Sequence, residues 1–472
     1  MAGNPLRNVP SVGELLDSAP LRRLLDRVSR NVVVAEVRSF VDNLRGELQT
    51  AAAEIKLPTA GELAERIAHW IVTDRQPPLR SVINATGILL SSGLGRSPLA
   101  EEALQEIISV AGGYASLEID LTTGDRALRV QAAEKLLKEQ TGAEAALVAN
   151  SHEGALLWAL SALAAGCEVL VARSQLAETG NGCRLSELVA YSGAQLREVG
   201  AANLARVGDY ETALSDRTAA ILRADCGDYV VAGLAEQPSL AELVALGRRK
   251  GVPVIDALGP GALLDFTPYG LTGVPQARGS ILAGADLVLI NGDQLLGGPQ
   301  CGIITGRAVL LQQLAAHPLA RVICPDKLTL AALAATLRLY RDPQVAERSI
   351  PLLSLLGTSV DNLQNRAERL APQLAAVRAV AQAEPLASVA WLSGEGIPSQ
   401  QLPSWCVAVA PAGRSVEQLA GALRRATPAI VGRTSPDRLL LDLRSVLPAQ
   451  DMRIAEVFAA LAGHASPAAA DG

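Results

Sequence analysis

The sequence predicts an α/β protein: a mostly parallel sheet covered by helices, with a helical N-terminal domain before it and a smaller α+β domain after it. Three observations predict it. Short apolar runs alternate with amphipathic helical stretches from about residue 80 to 330, the pattern of strands feeding crossover helices. Residues 1–75 instead carry apolar side chains at three- and four-residue spacing, and a Pro77-Pro78 break separates the two regimes. Past 331 a helix is followed by shorter strand-like runs. At 472 residues the chain is long enough for two or three such domains.

In chain order, Val12–Leu25 and Val32–Leu48 read as helices, with Pro10 and Ser11 at the position of a cap. They suit either a docking module or an amphipathic bundle, and composition favours the bundle. In the domain 80–330, Ala145–Ala149, Glu168–Ala172, Thr218–Arg223, Val252–Ile255 and Asp286–Ile290 read as buried strands. Glu101–Val110, Arg129–Gln140, Gly154–Ala165 and Leu240–Lys250 read as the helices between them. In the domain 331–472, Ala331–Tyr340 is helical, Trp405–Val409 and Leu439–Leu443 are strand-like, and the Ala/Pro/Gly-rich tail His464–Gly472 frays.

Composition narrows the function. Hydrophobic residues make up 49% and charged residues 19%, a globular mixture. No apolar run is long enough to span a membrane and no signal-peptide core opens the chain, so the expectation is a cytoplasmic protein. A net charge of −6 argues against DNA or general nucleic-acid coating, while leaving room for a local RNA-binding face. The six cysteines and four histidines form no metal-ligand motif, so no metal is expected.

Three loops carry the candidate chemistry, because ligands of open α/β sheets gather where strands lead into helices. Asn150-Ser151-His152-Glu153-Gly154 follows a strand and opens a helix, so its amides can hold a phosphate; any strand–helix joint exposes such amides. Gly292-Asp293-Gln294-Leu295-Leu296-Gly297-Gly298-Pro299-Gln300 fixes an unusual backbone after a buried strand, as a site or as a plain turn. Asn84-Ala85-Thr86-Gly87 and Gly93-Leu94-Gly95-Arg96 place a guanidinium on a glycine-bearing loop; it suits an anionic substrate, although a surface ion pair is the commoner fate of a lone Arg.

Together with Leu328–Tyr340, and with flanks from Leu6-Arg7-Asn8-Val9-Pro10 to Leu439-Leu440-Leu441-Asp442-Leu443-Arg444, these segments resemble the bacterial selenocysteine synthase (L-seryl-tRNA(Sec) selenium transferase) family over nearly the whole chain. The resemblance implies a fold-type I pyridoxal phosphate (PLP) transferase-like fold, a tRNA-binding N-terminal domain, and sites at the interface of a homo-oligomer that is at least a dimer. It also implies a lysine that holds PLP as a Schiff base, an Asp beside the pyridine nitrogen, and conversion of the serine on seryl-tRNA(Sec) to selenocysteine.

Against that pattern this chain departs where the chemistry lies. Gln294, beside Asp293, stands where the family has its lysine, and a carboxamide forms no imine, so covalent PLP attachment there is excluded and a cofactor-free protein is one expectation. Ala257 takes the place of the family Asp; Asp256, one residue earlier, points to the other face of a regular strand unless the strand end is irregular. The family's His-Thr-Asn is Ser91-Ser92-Gly93, and its Val-His-Thr-Ser-Asn-Tyr is Ala224-Asp225-Cys226-Gly227-Asp228-Tyr229. Of two anion-binding arginines Arg321 remains and Cys324 replaces the other; Lys327 matches a family lysine. Glu153 puts a carboxylate in the phosphate cup formed by Asn150, Ser151 and His152. His152 reads as a structural or capping histidine before a substitute base. The expectation is a family protein with impaired or lost PLP chemistry, the alternatives being a non-catalytic tRNA- or partner-binding paralogue and an enzyme of altered chemistry.

Overall fold

The computed structural model describes residues 10–26, 28–50, 59–74, 79–126, 131–176, 182–225, 234–393 and 400–462. The chain divides into two compact units, Met1–Ser81 and Val82–Gly472.

In the first unit the helices are Val12–Leu16, Ala19–Leu25, Arg30–Thr50 and Ala60–Asp74. Ser11 and Glu14 cap the first helix reciprocally: the Ser11 amide donates to Glu14 Oε2 at 2.8 Å and the Glu14 amide to Ser11 Oγ at 3.2 Å. The single helix expected over Val12–Leu25 is two, because Pro20 lies in the first turn of the second, where its missing N–H costs nothing. Val33, Val37 and Val41 on one helix and Leu63, Ile67 and Ile71 on another repeat every four residues, and these faces close over Leu15 and Leu21 as the unit's own core.

In the second unit strand β1 (Val82–Ala85) joins a sheet described below. The larger sheet is built from β2 (Ala145–Ala149), β3 (Glu168–Ala172), β4 (Gln195–Val199), β5 (Thr218–Ala224), β6 (Val254–Gly259), β7 (Leu287–Asn291) and β8 (Gly302–Gly306). Its order is β2-β8-β7-β6-β5-β3-β4, parallel except for β8, which runs antiparallel to both neighbours. Both faces are covered. Val169, Val171, Leu222, Ile255 and Ala257 point into one apolar cluster, while Leu170, Ala172, Ile221 and Val254 point into another. The two-residue period thus separates the faces.

Strands β9 (Val380–Trp391), β10 (Gln401–Pro411), β11 (Ala429–Thr434) and β12 (Leu439–Asp442) form the smaller sheet with β1, in the order β1-β11-β12-β10-β9. β1 is parallel to β11, and the other pairs are antiparallel. Leu363, Leu370 and Leu374 of helix Val360–Ala375 cover this sheet with Leu419, Leu423 and Phe458. Helix Lys327–Leu339, by contrast, buries Leu330, Leu333 and Leu337 in the larger sheet's core, as does Pro351–Gly357 with Leu352 and Leu353. The packing partner therefore changes near Ser359, beyond the sequence boundary at 331. No helix of the described residues is long and apolar enough to cross a membrane.

Candidate functional site

At the carboxyl ends of β2 and β7 lies a cavity of about 500 Å³. Leaving β2, the chain enters helix His152–Ala164 through Ser151, whose hydroxyl accepts from the Gly154 amide at 3.0 Å. Leaving β7, it makes a tight turn back to β8. The Gly297 amide donates to the Gln294 carbonyl at 2.9 Å, and the Gly298 amide to the Gly292 carbonyl at 2.8 Å. Gly297 has φ +69°, and a Cβ there would collide with Ile350, so only glycine completes this turn. The loop carrying Arg96 and Ser97 closes the third side, tied to the turn by the Ser97 amide, which donates to the Asp293 carbonyl at 3.2 Å.

The strongest contact in the cavity is internal. One Arg96 guanidinium nitrogen donates to both Asp293 oxygens, at 3.2 and 3.3 Å. Arg96 does so from a left-handed backbone, φ +58°, the one positive φ outside glycine among the described residues. Burial pushes the Asp293 carboxyl up from its ordinary value, against the opposing Arg96 charge. Burial also pushes the His152 imidazole down, against the pull of Glu153 and the Ile290 backbone, so the ring is neutral at pH 7. Two buried atoms have no partner here, His152 Nδ1 and Ser97 Oγ. Burial likewise raises the thiols of Cys301 and Cys183, keeping both protonated.

Of the residues singled out in the sequence, Arg96, Ser151, His152 and Asp293 line the cavity, and so do Ser92 and Glu153. The others stand elsewhere. Gln294 is half-buried within the turn and Asn150 is exposed; neither is a lining residue. Asp256 is fully buried on the Val254 face, its carboxylate 2.8 Å from Arg223 of the neighbouring strand, and is no lining residue. The irregular pairing of β6 begins only after Ala257, too late to turn Asp256 round. Arg321 projects outward, its side chain 72% exposed and 3.8 Å from Glu118. Lys327 Nζ donates to the Gly113 carbonyl at 2.8 Å. Cys226, Gly227, Asp228 and Tyr229 lie outside the described residues. Sequence reasoning missed Ser97, Cys183, Asn291 and Cys301, all in the lining. Asn291 had a signal, as the polar residue ending a buried apolar run; Cys183 had none. Among the described residues no group of His, Cys, Asp and Glu could hold a metal ion.

No lysine lines the cavity among the described residues. A carboxylate, Glu153, occupies the first turn of the helix whose amides would cup a phosphate, and Asp256 is spent on Arg223 on the opposite face.

Residues 82–447 match the family described as L-seryl-tRNA selenium transferase, and residues 6–45 match the selenocysteine synthase N-terminal family. The L-seryl-tRNA(Sec) selenium transferase of Moorella thermoacetica is 42% identical over 455 residues, 96% of either chain. That of Geobacter sulfurreducens is 40% identical over 442 residues, 93% of this chain and 95% of its own. The enzyme of Hyphomonas neptunium is 40% identical over 460 residues, 97% of this chain and 98% of its own. Among solved structures, D-glucosaminate-6-phosphate ammonia-lyase superposes with a TM-score of 0.58 at 20% identity, covering 82% of this chain and 97% of that one, a likeness of fold. The architecture is that of the fold-type I PLP transferases, and the chain belongs to the L-seryl-tRNA selenium transferase family.

Proposed function

We propose that this chain is a selenocysteine synthase-like protein that keeps the family's fold, its assembly and its tRNA binding, and has lost the Schiff-base PLP chemistry. The observation that carries the reading is a cavity whose lining holds no amine among the described residues, in a chain with Gln294 at the family's lysine position. PLP supplies an electron sink to this family when bound. The residues present here do not fit that group. Glu153 repels a phosphate at the helix N-terminus, and Ala257 offers nothing to a pyridine nitrogen. The unpartnered atoms of His152 and Ser97 favour one second reading, a cavity that still takes a ligand and supports altered chemistry.

Assembly and tRNA binding have their own support. Leu104, Ile108, Tyr114, Ile119, Leu121 and Val322 are large apolar side chains left exposed, which suits burial against a second copy. Arg22, Arg23, Arg30, Arg38, Arg45 and Arg66 are exposed on the N-terminal helices, and guanidiniums suit the phosphates of a tRNA. The test is an absorption spectrum with and without added PLP, borohydride reduction, and assays of seryl-tRNA(Sec) binding and of selenocysteinyl-tRNA formation from selenophosphate. The expected result is salt-sensitive tRNA binding, no reducible chromophore and no product. A borohydride-trapped chromophore on any lysine, or product at the pace of a lysine-bearing relative, refutes the lost chemistry.

A further inference from the structure

The segment Asn84-Ala85-Thr86-Gly87 contributes no lining residue to the cavity, yet it begins the strap that reaches it. β1 ends at Ala85 in the smaller sheet, and residues 86–97 run on to the cavity, where Ser92, Gly95, Arg96 and Ser97 line it. Asn84 fixes the first bend. Its side chain accepts from the Thr86 amide and hydroxyl at 3.1 and 2.7 Å and donates to the Ile88 carbonyl at 2.9 Å. The Gly87 amide donates to Ser445 Oγ at 2.9 Å. Gly87 has φ +77°, and a Cβ there would lie 2.8 Å from Cγ of Asp442, so the strap backbone rests directly on a carboxyl group.

Asp442, the last residue of β12, is fully buried, and its two oxygens hold four donors. Ser404 Oγ and the Arg444 amide donate to Oδ1 at 2.6 and 3.1 Å; Ser388 Oγ and the Arg433 guanidinium donate to Oδ2 at 2.9 and 3.2 Å. The hydroxyls can turn, but the guanidinium and the amide can only donate, one at each oxygen. Arg433 also lies over the Trp391 ring, 4.7 Å from its centre. The Trp391 backbone carries the strap in turn: its amide donates to the Gly87 carbonyl at 2.7 Å, and its carbonyl accepts from the Leu89 amide at 3.0 Å. Asp442 thus acts on the strap twice, directly at Gly87 and through Arg433 and Trp391. The far end of the strap is tied to the β7–β8 turn, where Arg96 and the Ser97 amide both bond Asp293.

We propose that Asp442 is a positioning residue for the cavity: through Gly87 and Trp391 it sets the strap that closes the third side, and so couples access to the cavity to the smaller sheet. Replacing the carboxyl with a carboxamide sets an NH2 group against either Arg433 or the Arg444 amide, and the donor facing it loses its acceptor. The strap then loosens locally, with both sheets still folded.

The reporter is Cys301, a reduced thiol that lines the cavity, is 1% exposed and packs against Gly292 of the turn beneath the strap. A thiol so buried reacts through local opening. The experiment treats the full-length protein with N-ethylmaleimide and measures the initial rate of Cys301 modification by mass spectrometry of its peptide. Asp442→Asn speeds that modification by about tenfold or more, the effect of stranding one buried donor beside the strap. The comparison is Leu423→Ala, which empties part of the smaller sheet's own core and lowers stability in urea at least as much, yet changes the Cys301 rate by about twofold or less. A merely structural Asp442 would move both alike. Gly87→Ala pushes the strap off Asp442 from the other side, speeds Cys301 by a similar factor, and serves if Asp442→Asn fails to fold by its thermal melt. An unchanged Cys301 rate in either folded variant, or a rise in Leu423→Ala as large as in Asp442→Asn, overturns the proposal.

Discussion

Replacing Arg96 with glycine sets two effects of the same residue against each other. The side chain is 22% exposed and its partner carboxylate 12% exposed, so the pair sits in partial shelter from water. Removing one member of a buried pair costs roughly 3–5 kcal/mol, and the opening of the cavity to water puts this one at the low end, about 3 kcal/mol. The backbone works the other way. A left-handed conformation costs a non-glycine residue roughly 1–2 kcal/mol, so Arg96→Gly at φ +58° returns about 1 kcal/mol. The variant should be less stable than the parent by about 2 kcal/mol at neutral pH. In the double variant Arg96→Gly/Asp293→Asn no charge is left stranded and the backbone relief remains, so stability should return to within about 1 kcal/mol of the parent.

The deficit should also depend on pH in one direction. Asp293 has a carboxyl raised above its ordinary value of 3.8 in the folded protein, and losing Arg96 raises it further. A raised carboxyl binds more protons folded than unfolded, so its destabilisation grows as pH climbs through the folded value and then levels off. The gap between Arg96→Gly and the parent should therefore be small near pH 4 and reach its plateau above the variant's folded value. Urea unfolding followed by tryptophan fluorescence measures it, because Trp158, Trp391 and Trp405 report on the unit from Val82 onward and only Trp70 on the other. The quantity to compare is the midpoint at unchanged slope. An Arg96→Gly protein as stable as the parent at pH 8, or a double variant as weak as the single, would refute the reasoning.

His152→Asn should flatten the acid limb of stability: the buried ring titrates below the unfolded value of 6.5, so the parent loses stability as pH falls below 6.5, and melting temperatures from pH 5 to 8 would show the variant lacking that slope. Gln294→Lys should permit some borohydride-trappable PLP attachment without restoring selenocysteinyl-tRNA formation, since Ala257 and Cys324 remain; robust product from this variant alone would show the damage overcounted. Arg223→Ala should cost about 3 kcal/mol by leaving the fully buried Asp256 unpaired, yet leave binding in the cavity unchanged because the pair lies on the other face; a change in ligand affinity would contradict that placement. Light scattering should find at least dimers for the full chain and for a chain lacking residues 1–81, and a folded monomer in both would defeat the assembly proposal.

The elements legible in the sequence are those specified locally. Helix Leu240–Lys250 is found to the residue because Ser239 and Glu242 cap its start and Gly251, at φ +72°, stops it. The strands β2 and β3 coincide with their apolar runs for the same reason, since a strand buried on both faces needs no alternation. What was not legible is pairing between distant segments. Nothing near Val82 says that β1 will lie beside β11 rather than in the larger sheet. Nor does anything near Arg96 say that its cation will be consumed by Asp293 instead of waiting for a substrate anion. Arg321 is a different case: a family position carried its role in the sequence, and in this chain the helix Leu319–Val322 leaves its side chain exposed, 3.8 Å from Glu118.

The period-two argument for Asp256 succeeded because it is local, and the structure adds why the missing acid cannot simply be put back. Ala257 is 2% exposed and packs among Ile255, Leu258 and Leu289. An aspartate there would have to bury a carboxylate in an apolar cluster, at a cost of several kcal/mol unless a partner meets it. The family resemblance implies such a partner, the pyridine nitrogen of a lysine-held ring. On the proposed reading, with no Schiff base to hold the ring in place, an acid here has no partner and alanine is the more stable choice. On that reading the loss of the lysine and the loss of the acid are thus physically coupled: each removes the reason to keep the other. Arg223, meanwhile, holds the neighbouring Asp256 on the opposite face, so no small shift of β6 supplies a substitute.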